Sequence, residues 1–205
     1  MLRRALVCGT LFLWVGVMAG CAKPPVEEMD AATAAVKRAE TAEVAMYAPQ
    51  EFRALDDSLK AMTALADKQQ SRFALLRNYK QAKTLAQATV DLAEKVENIA
   101  LENKARMRKE TEDLVAQAQT AIDSVSAVLA VAPVVKDTKA DIQQFKMDLS
   151  AFQASLTEGR SALSREDFSG AQATARAVLS KASTLKNEIQ AGMEKYQQWK
   201  KGRRN

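Results

Sequence analysis

Residues 85–100 read LAQATVDLAEKVENIA, and this stretch decides the fold class. Its apolar side chains recur at spacings of three and four residues, at Leu85, Ala86, Val90, Ala93, Val96, Ile99 and Ala100. Because an α-helix has about 3.6 residues per turn, this spacing places them on one helix face. The chain has neither proline nor glycine between Gln50 and Ala132, and strong helix formers dominate there. The segment therefore predicts an all-α protein.

Apolar stripes with the same spacing occur on both sides of this stretch. Their members are Leu55, Leu59, Met62, Leu65 and Ala66; Leu114, Ala118, Ala121, Ile122, Val125, Val128 and Leu129; Ile142, Phe145, Leu149, Phe152 and Leu156; and Ala175, Val178, Leu179, Ala182, Leu185 and Ile189. Such stripes are typical of the core of a helix bundle, and a ligand-binding box is the alternative.

Proline and capping residues predict where the helices end. Ala48-Pro49 and Ala132-Pro133 disfavour a helix before each proline and suit a first helical turn after it. Asn78 and the capping-box spacing of Ser164 and Asp167 indicate two further helix starts. The predicted helices cover about residues 27–47, 50–73, 78–131, 134–160 and 165–199.

The two halves of the chain resemble each other. Residues 58–64 (SLKAMTA) read like residues 148–154 (DLSAFQA), and residues 79–82 (YKQA) read like residues 168–171 (FSGA). The repeat predicts an elongated antiparallel helical bundle or coiled coil, in which a long helix joins two related hairpin units. The predicted segments are a signal peptide (1–20), a lipidated tether (21–26), an N-terminal helical unit (27–101), a charged helical bridge (102–112), a C-terminal helical unit (113–199) and a basic tail (200–205).

The bridge has seven charged residues in residues 102–112, ENKARMRKETE, and almost no apolar face. Because its residues still favour a helix, the sequence predicts a solvated helical connection there. A continuous helix over 78–131 would be about 80 Å long at 1.5 Å per residue.

The first residues are typical of an exported lipoprotein. Arg3 and Arg4 precede a mostly apolar run that reaches Ala19, and Met18-Ala19-Gly20-Cys21 resembles the lipobox of bacterial lipoproteins. The resemblance implies cleavage before Cys21 and its modification by diacylglycerol and long-chain acyl groups such as palmitate. A plain secretory signal with an incidental cysteine is the alternative. By resemblance to enteric lipoproteins, Ala22 favours the outer membrane, with the protein facing the periplasm.

The residue types in the chain limit its chemistry. There is no histidine, Cys8 leaves with the signal peptide, and Cys21 is consumed by the lipid, so no disulfide is expected in the mature chain. Glu51, Asp56 and Asp57 lack an accompanying nucleophile or glycine-rich loop and are interpreted as solvated helix-face charges. We therefore expect a protein that is not an enzyme, with no catalytic residues, no metal site and no cofactor.

A short motif resembles a known family. Ala-rich residues 31–42 lead into Tyr47-Ala48-Pro49-Gln50-Glu51-Phe52, and Tyr79-x-x-Ala82 follows. This resembles a Gram-negative family of lipoproteins and envelope proteins with a domain of unknown function and a Tyr-Ala-Pro-x-Glu-Leu motif, over about residues 27–100. Phe52 replaces the usual Leu. The resemblance implies an envelope location and a helical fold, and it supplies no reaction.

Two places are candidates for binding a partner. Tyr47, Pro49 and Phe52 could form an aromatic clamp at the proline corner, and a hydrophobic staple at a helix start is the alternative. The basic aromatic tail supplies the other candidates, Lys195, Tyr196, Trp199, Lys200 and Lys201. It could contact an envelope protein, anionic lipid or peptidoglycan, and a frayed solubilising end is the alternative.

The sequence favours a lipid-anchored periplasmic scaffold or adaptor that displays helix faces to an envelope protein. A holdase chaperone for outer-membrane proteins and a peptidoglycan-binding module are the alternatives. Nucleic acid is not an expected partner for an exported chain. The apolar stripes could also pack against a second copy, so a homo-oligomer is compatible with the pattern.

Overall fold

A computed structural model describes residues 23–41, 43–135 and 138–203. Every regular element in these ranges is helical, which confirms the predicted all-α bundle. The elements are α1 (Val26–Thr41), α2 (Val44–Tyr47), α3 (Pro49–Gln70), a 3₁₀ helix (Ala74–Leu76), α4 (Lys80–Ala130), α5 (Lys139–Ser164) and α6 (Phe168–Gly202). The chain divides into two compact units, an N-terminal unit that ends at Asn103 and a C-terminal unit that begins at Lys104.

The N-terminal unit is built from α1, α2, α3 and the first part of α4. Ala32, Met62 and Ala86, one from each long helix, form a buried cluster at its centre. The Ser58 and Thr89 hydroxyl oxygens lie 2.8 Å apart and link α3 to α4. Glu28 at the start of α1 pairs with Lys83 at the start of α4, with 2.5 Å between their charged atoms. The three long helices therefore surround one core.

The C-terminal unit is built from the second part of α4, α5 and α6. Two buried clusters run along it, and each contains residues from all three helices. The first cluster contains Val115, Ala118, Ile122, Leu156, Ala175 and Val178. The second contains Val125, Leu129, Ala132, Ile142, Ala182, Leu185 and Ile189. Both units are thus three-helix arrangements with an interior of aliphatic side chains and alanine.

Burial supports the internal repeat that the sequence predicts. Each buried residue in the first part of α4, together with Tyr79 just before it, has a buried counterpart 89 positions later in or at α6. The pairs are Tyr79 and Phe168, Ala82 and Ala171, Ala86 and Ala175, Thr89 and Val178, Ala93 and Ala182, Val96 and Leu185, and Ala100 and Ile189. The first part of α4 therefore has the same role in its unit as α6 has in the other.

Matching caps begin these two helices. The Asn78 side-chain oxygen accepts a hydrogen bond of 3.0 Å from the Lys80 N–H, and an Asp167 carboxylate oxygen accepts one of 2.9 Å from the Gly170 N–H. The predicted capping box at Ser164 is wrong, because the Ser164 hydroxyl donates to the Ser161 carbonyl within the end of α5. Asp167 alone caps α6, three residues later than the capping-box prediction.

Two predicted helices differ from the structure at their ends. The helix predicted over 27–47 is interrupted because Glu43 adopts a left-handed conformation with φ of 55°, which separates α1 from α2. The helix predicted from residue 134 begins at Lys139, because the Thr138 hydroxyl closes a turn instead. That hydroxyl donates to the Pro133 carbonyl at 2.9 Å and accepts from the Val135 N–H at 3.1 Å.

The remaining ends differ by smaller amounts. The helix predicted over 50–73 is α3, which ends at Gln70, and the one predicted over 134–160 is α5, which continues to Ser164. The helix predicted over 165–199 is α6, which runs from Phe168 to Gly202. Pro49 occupies the first turn of α3 and Ala48 before it is not helical, as the proline rule predicts.

The charged segment 102–112 is helical throughout, but it is more than a solvated connection. Lys104 and Arg108 both pair with Glu166, with nitrogen–oxygen distances of 2.6 and 3.5 Å. Thr111 is fully buried, and its hydroxyl accepts a hydrogen bond of 2.9 Å from the Gln172 side chain on α6. These residues hold α4 against the start of α6 in the C-terminal unit.

Candidate functional site

The proline corner connects α2 to α3 and is tied to the rest of its unit. Tyr47 is only 8% exposed. Its carbonyl oxygen accepts a hydrogen bond of 2.7 Å from the Asn103 side-chain amide, which comes from α4. That amide satisfies a carbonyl at the end of a four-residue helix, where intrahelical partners are lacking. The corner is therefore a packed and hydrogen-bonded connection.

Tyr47, Pro49 and Phe52 occupy defined positions at the start of α3. With Ala48 as the N-cap, Tyr47 precedes the cap and Phe52 is the fourth helical residue, the two positions of a hydrophobic staple. Tyr47 is buried, Phe52 is half-buried and Pro49 is exposed. Because the Tyr47 ring is enclosed, this placement is typical of a staple and leaves little aromatic surface for a ligand.

The basic aromatic residues of the predicted tail lie close together in sequence at the end of α6. Lys195, Tyr196, Trp199, Lys200 and Lys201 all lie in the last turns of α6. The Tyr196 and Trp199 rings are stacked, with centroids 5.9 Å apart and planes inclined by 26°. The Arg203 guanidinium lies 4.7 Å from the Trp199 ring centroid. Trp199 remains 54% exposed, so this end of α6 offers an aromatic and cationic contact surface.

A groove lies on the same part of the C-terminal unit, between α5 and α6. It has a volume of about 290 Å³, and Ile142, Phe145, Ile189 and Met193 supply its apolar lining. Lys195 also lines it, which joins the groove to the basic aromatic end of α6. We call these two features together the α6 surface.

The sequence predicts the cationic and aromatic part of the α6 surface, but not the groove. Ile142, Phe145 and Ile189 belong to apolar stripes that were interpreted as core. The useful signal is the extension of the α6 stripe from Ile189 to Met193 and Tyr196, of which Met193 packs partly buried against the second core cluster. Gly192 in this extension has open space where a Cβ would be.

The electrostatic features of the described residues are exposed ion pairs. The pKa of Glu166 is lowered because Lys104 donates a hydrogen bond to it, and Arg108 adds a smaller effect. The pKa of Glu28 is lowered by Lys83, and the hydrogen bond to Asp56 raises the pKa of Lys60. These pairs lie outside the α6 groove. Ion pairs at the surface of helices usually have a structural role, and such a pair is not by itself a sign of a catalytic acid.

The groove of the α6 surface has a mainly apolar lining. Across residues 23–41, 43–135 and 138–203, no group of three or more histidine, cysteine, aspartate or glutamate side chains could hold a metal ion. The groove is lined by aliphatic and aromatic groups with Asp141, Glu188 and Lys195 as its charged members. Its chemistry therefore favours an apolar or aromatic group of a partner.

Several predicted features lie outside the described residues. They are the signal peptide over 1–20, the lipidation site Cys21, and Arg204 and Asn205 of the basic tail. Within the described ranges, none of the helices combines the length and the apolar character that crossing a bilayer requires.

Comparison with known proteins finds no family model, no curated protein and no solved structure that matches this chain. The resemblance of residues 47–52 to the Tyr-Ala-Pro-x-Glu-Leu family stays a hypothesis.

Proposed function

We propose that the chain is a lipoprotein of the Gram-negative cell envelope, anchored in the outer membrane through acyl groups on Cys21 and facing the periplasm. The observation that carries this proposal is Met18-Ala19-Gly20-Cys21 after a charged and then apolar stretch. Two or three acyl chains give stable attachment, whereas a single chain is marginal. Helix α1 begins at Val26, so only a short tether separates the folded part from Cys21.

The N-terminal peptide of the protein tests this anchor. The full chain is expressed in a Gram-negative host, purified from membranes and digested, and the N-terminal peptide is weighed by mass spectrometry. We expect a peptide that begins at Cys21 and carries the mass of a diacylglyceryl group and an amide-linked acyl chain. A Cys21→Ser variant should retain residues 1–20. A native chain that begins at Cys21 without acyl groups would reduce the proposal to plain secretion.

We further propose that the anchored protein is a non-enzymatic scaffold or adaptor, and that the α6 surface contacts an envelope protein. Exposed Trp199, stacked on Tyr196 at the end of the helix that also supplies one side of an apolar groove, supports this assignment. Tryptophan, tyrosine and arginine are the residues that most often contribute strongly to protein interfaces. The groove has a volume of about 290 Å³ and a mainly apolar lining, which suits an apolar side chain of a partner.

An aggregation assay separates the adaptor from the holdase alternative. Unfolded outer-membrane proteins are diluted from urea with an equimolar amount of the protein, and light scattering is followed. An adaptor leaves the scattering curve unchanged, and serum albumin serves as the inert control. Strong suppression at equimolar amounts would replace the adaptor assignment with that of a chaperone.

A further inference from the structure

The connection between α3 and α4 exposes three large apolar side chains. Phe73, Leu75 and Leu76 have 72%, 71% and 70% of their surfaces exposed, and they lie within four consecutive residues. We call residues 71–79 the α3–α4 loop. Single exposed apolar residues are normal on a protein surface, but a contiguous group is typical of a contact site.

Specific hydrogen bonds hold this loop in place. The Arg77 guanidinium donates to the carbonyl of Gln70 at 2.9 Å and to that of Arg72 at 3.0 Å. The Gln69 side-chain oxygen accepts from the Asn78 N–H at 3.1 Å. One of these contacts satisfies the carbonyl of Gln70, the last residue of α3, which lacks an intrahelical donor, and the other two link the loop to itself and to the side chain of Gln69. The loop therefore presents its apolar side chains from a defined conformation.

The internal repeat shows that closing the hairpin does not require this loop. The corresponding connection between α5 and α6 has only the three residues Arg165, Glu166 and Asp167, all of them charged. The connection between α3 and α4 has nine residues, 71–79. The segments matched by the repeat lie 90 and 89 positions apart on the two sides of this connection, so the chain is almost equally long in both units, and residues 71–74 correspond to the last residues of α5. A hairpin of the same architecture therefore closes there without three exposed apolar side chains.

The loop lies at the end of the N-terminal unit from which the anchor emerges. Because α3 runs antiparallel to α1 and α4, its last residue lies near the first residues of both helices. The ion pair between Glu28 and Lys83 confirms that α1 and α4 begin side by side. Cys21 is only five residues before Val26, a span of at most about 18 Å of extended chain. The tether therefore leaves the unit at the end that carries the loop.

A cationic cavity lies at the same connection, and its lining includes Arg72, the residue before Phe73, and Asn78. It has a volume of about 400 Å³, and Lys68, Arg72 and Lys80 supply its charged lining. Residues 68–80 contain no acidic residue, so no carboxylate within this segment neutralises the three cations. A cluster of cations beside exposed Phe and Leu side chains complements a bilayer surface, where anionic head groups lie next to acyl chains.

We propose that the α3–α4 loop is a second membrane contact. Phe73, Leu75 and Leu76 enter the interfacial layer of a bilayer that contains anionic phospholipid, and Lys68, Arg72 and Lys80 bind the phosphate of a head group. This inference rests on the proposed lipid anchor, which brings the loop to the membrane. Together the two attachments restrict how the N-terminal unit can turn above the bilayer, since two points of attachment define its orientation and a single tether does not.

Vesicle binding by the unacylated chain tests the loop without the anchor. The chain from Ala22 onward retains all described residues, and it is mixed with vesicles of phosphatidylethanolamine and phosphatidylglycerol or of phosphatidylcholine alone. We expect about tenfold or stronger binding to the anionic vesicles in a flotation assay. The triple variant Phe73→Ser, Leu75→Ser, Leu76→Ser should bind neither type of vesicle. A matched variant at exposed apolar residues of the other unit, Val131→Ser, Val134→Ser, Met147→Ser, should bind as the parent does.

A charge variant tests the cavity separately. Lys68→Gln, Arg72→Gln, Lys80→Gln should remove the preference for anionic vesicles, and circular dichroism checks that each variant remains helical. Equal binding by the parent chain and the loop variant, or no vesicle binding by the parent, would overturn the proposal. If the parent fails to bind while Cys21 is acylated in cells, the loop inference is wrong and the anchor stands. If the parent chain binds vesicles while Cys21 carries no lipid in cells, the anchor proposal is wrong and the loop inference stands.

Discussion

Tyr79 and Phe168 occupy equivalent buried positions in the two units and differ by one hydroxyl group. Tyr79 is the buried polar side chain whose hydroxyl has no hydrogen-bond partner within the described part of the chain. Phe168 has the same place at the start of α6 and is equally enclosed. A buried hydroxyl without a partner costs about 1–3 kcal/mol. The C-terminal unit therefore fills the equivalent position with a side chain that has no hydroxyl to satisfy.

We predict that Tyr79→Phe raises the free energy of unfolding by about 1 kcal/mol. Phe168→Tyr should lower it by a similar amount, because it places a hydroxyl in the equivalent apolar site. Urea titration followed by circular dichroism measures both. If Tyr79→Phe lowers the free energy of unfolding instead, the Tyr79 hydroxyl has a partner, such as an ordered water molecule.

Glu166 is a second residue whose environment has a measurable consequence. Its backbone has a φ of 63°, and its carboxylate accepts from Lys104 at 2.6 Å. The sequence gives no sign of this pair, because 62 residues separate its members and only the packing of α4 on α6 brings them together. Short-range patterns predict helices, but they contain no information on which exposed charges meet.

The lowered pKa of Glu166 predicts how stability depends on pH. A carboxyl group with a folded-state pKa below its unfolded-state value stabilises the fold above the unfolded value. That contribution is lost as the pH falls through the folded-state pKa. We therefore expect Glu166→Gln to lower the melting temperature at about pH 7 and to have no effect at about pH 2. Exposed Glu158, changed to Gln, is the control. A Glu166→Gln effect that is equal at both pH values would contradict the ion pair.

At the scale of the helices, alanine determines how closely the helices pack within each unit. The first part of α4 buries Ala82, Ala86 and Ala93 completely, and α6 buries their counterparts Ala171, Ala175 and Ala182. Alanine two positions away from a buried one, as at Ala88 and Ala177, is exposed on the same helices. Buried and exposed alanines therefore have different roles on the same helices, and the same substitution at each kind of position can distinguish them.

We predict that Ala86→Leu and Ala175→Leu each lower the free energy of unfolding by about 1–3 kcal/mol, because a larger side chain overfills a closely packed core. Ala88→Leu and Ala177→Leu are matched controls on exposed faces and should change it by less than about 0.5 kcal/mol, since leucine favours helix nearly as well as alanine. Urea titration compares the four variants. Similar effects for buried and exposed positions would contradict the close packing.

Most of the helical architecture could be predicted, and the exceptions have local causes. The stripe from Leu85 to Ala100 predicts both the helix and its buried face, because burial repeats with the period of the backbone. The interruption at Glu43 could not be predicted, since glutamate favours helices and gives no sign of a left-handed conformation. The late start of α5 depends on the Thr138 side chain, whose turn competes with a helix that Pro133 would also permit.

At the scale of the whole molecule, the proposed function combines an anchor outside the described residues with surfaces on each unit. The sequence indicates Trp199 and its cationic neighbours, because aromatic and basic residues are conspicuous in a chain with few aromatics. It does not predict the groove between α5 and α6, whose lining residues have the same spacing as core residues. Nor does it single out the exposed α3–α4 loop, since Phe73 lies at the end of the helix predicted over 50–73 and Leu75 and Leu76 lie in the short gap before the next predicted helix.

Photo-crosslinking from the α6 surface in intact cells tests the adaptor claim most directly. A photoreactive residue is placed at exposed Gln198, so that Trp199 stays intact, and at exposed Lys181 on the same helix as the control. We expect one discrete envelope protein in the adduct from position 198, its loss when Trp199→Ala is added, and no such adduct from position 181. A smear of many outer-membrane proteins from both positions would contradict the adaptor account and indicate a chaperone.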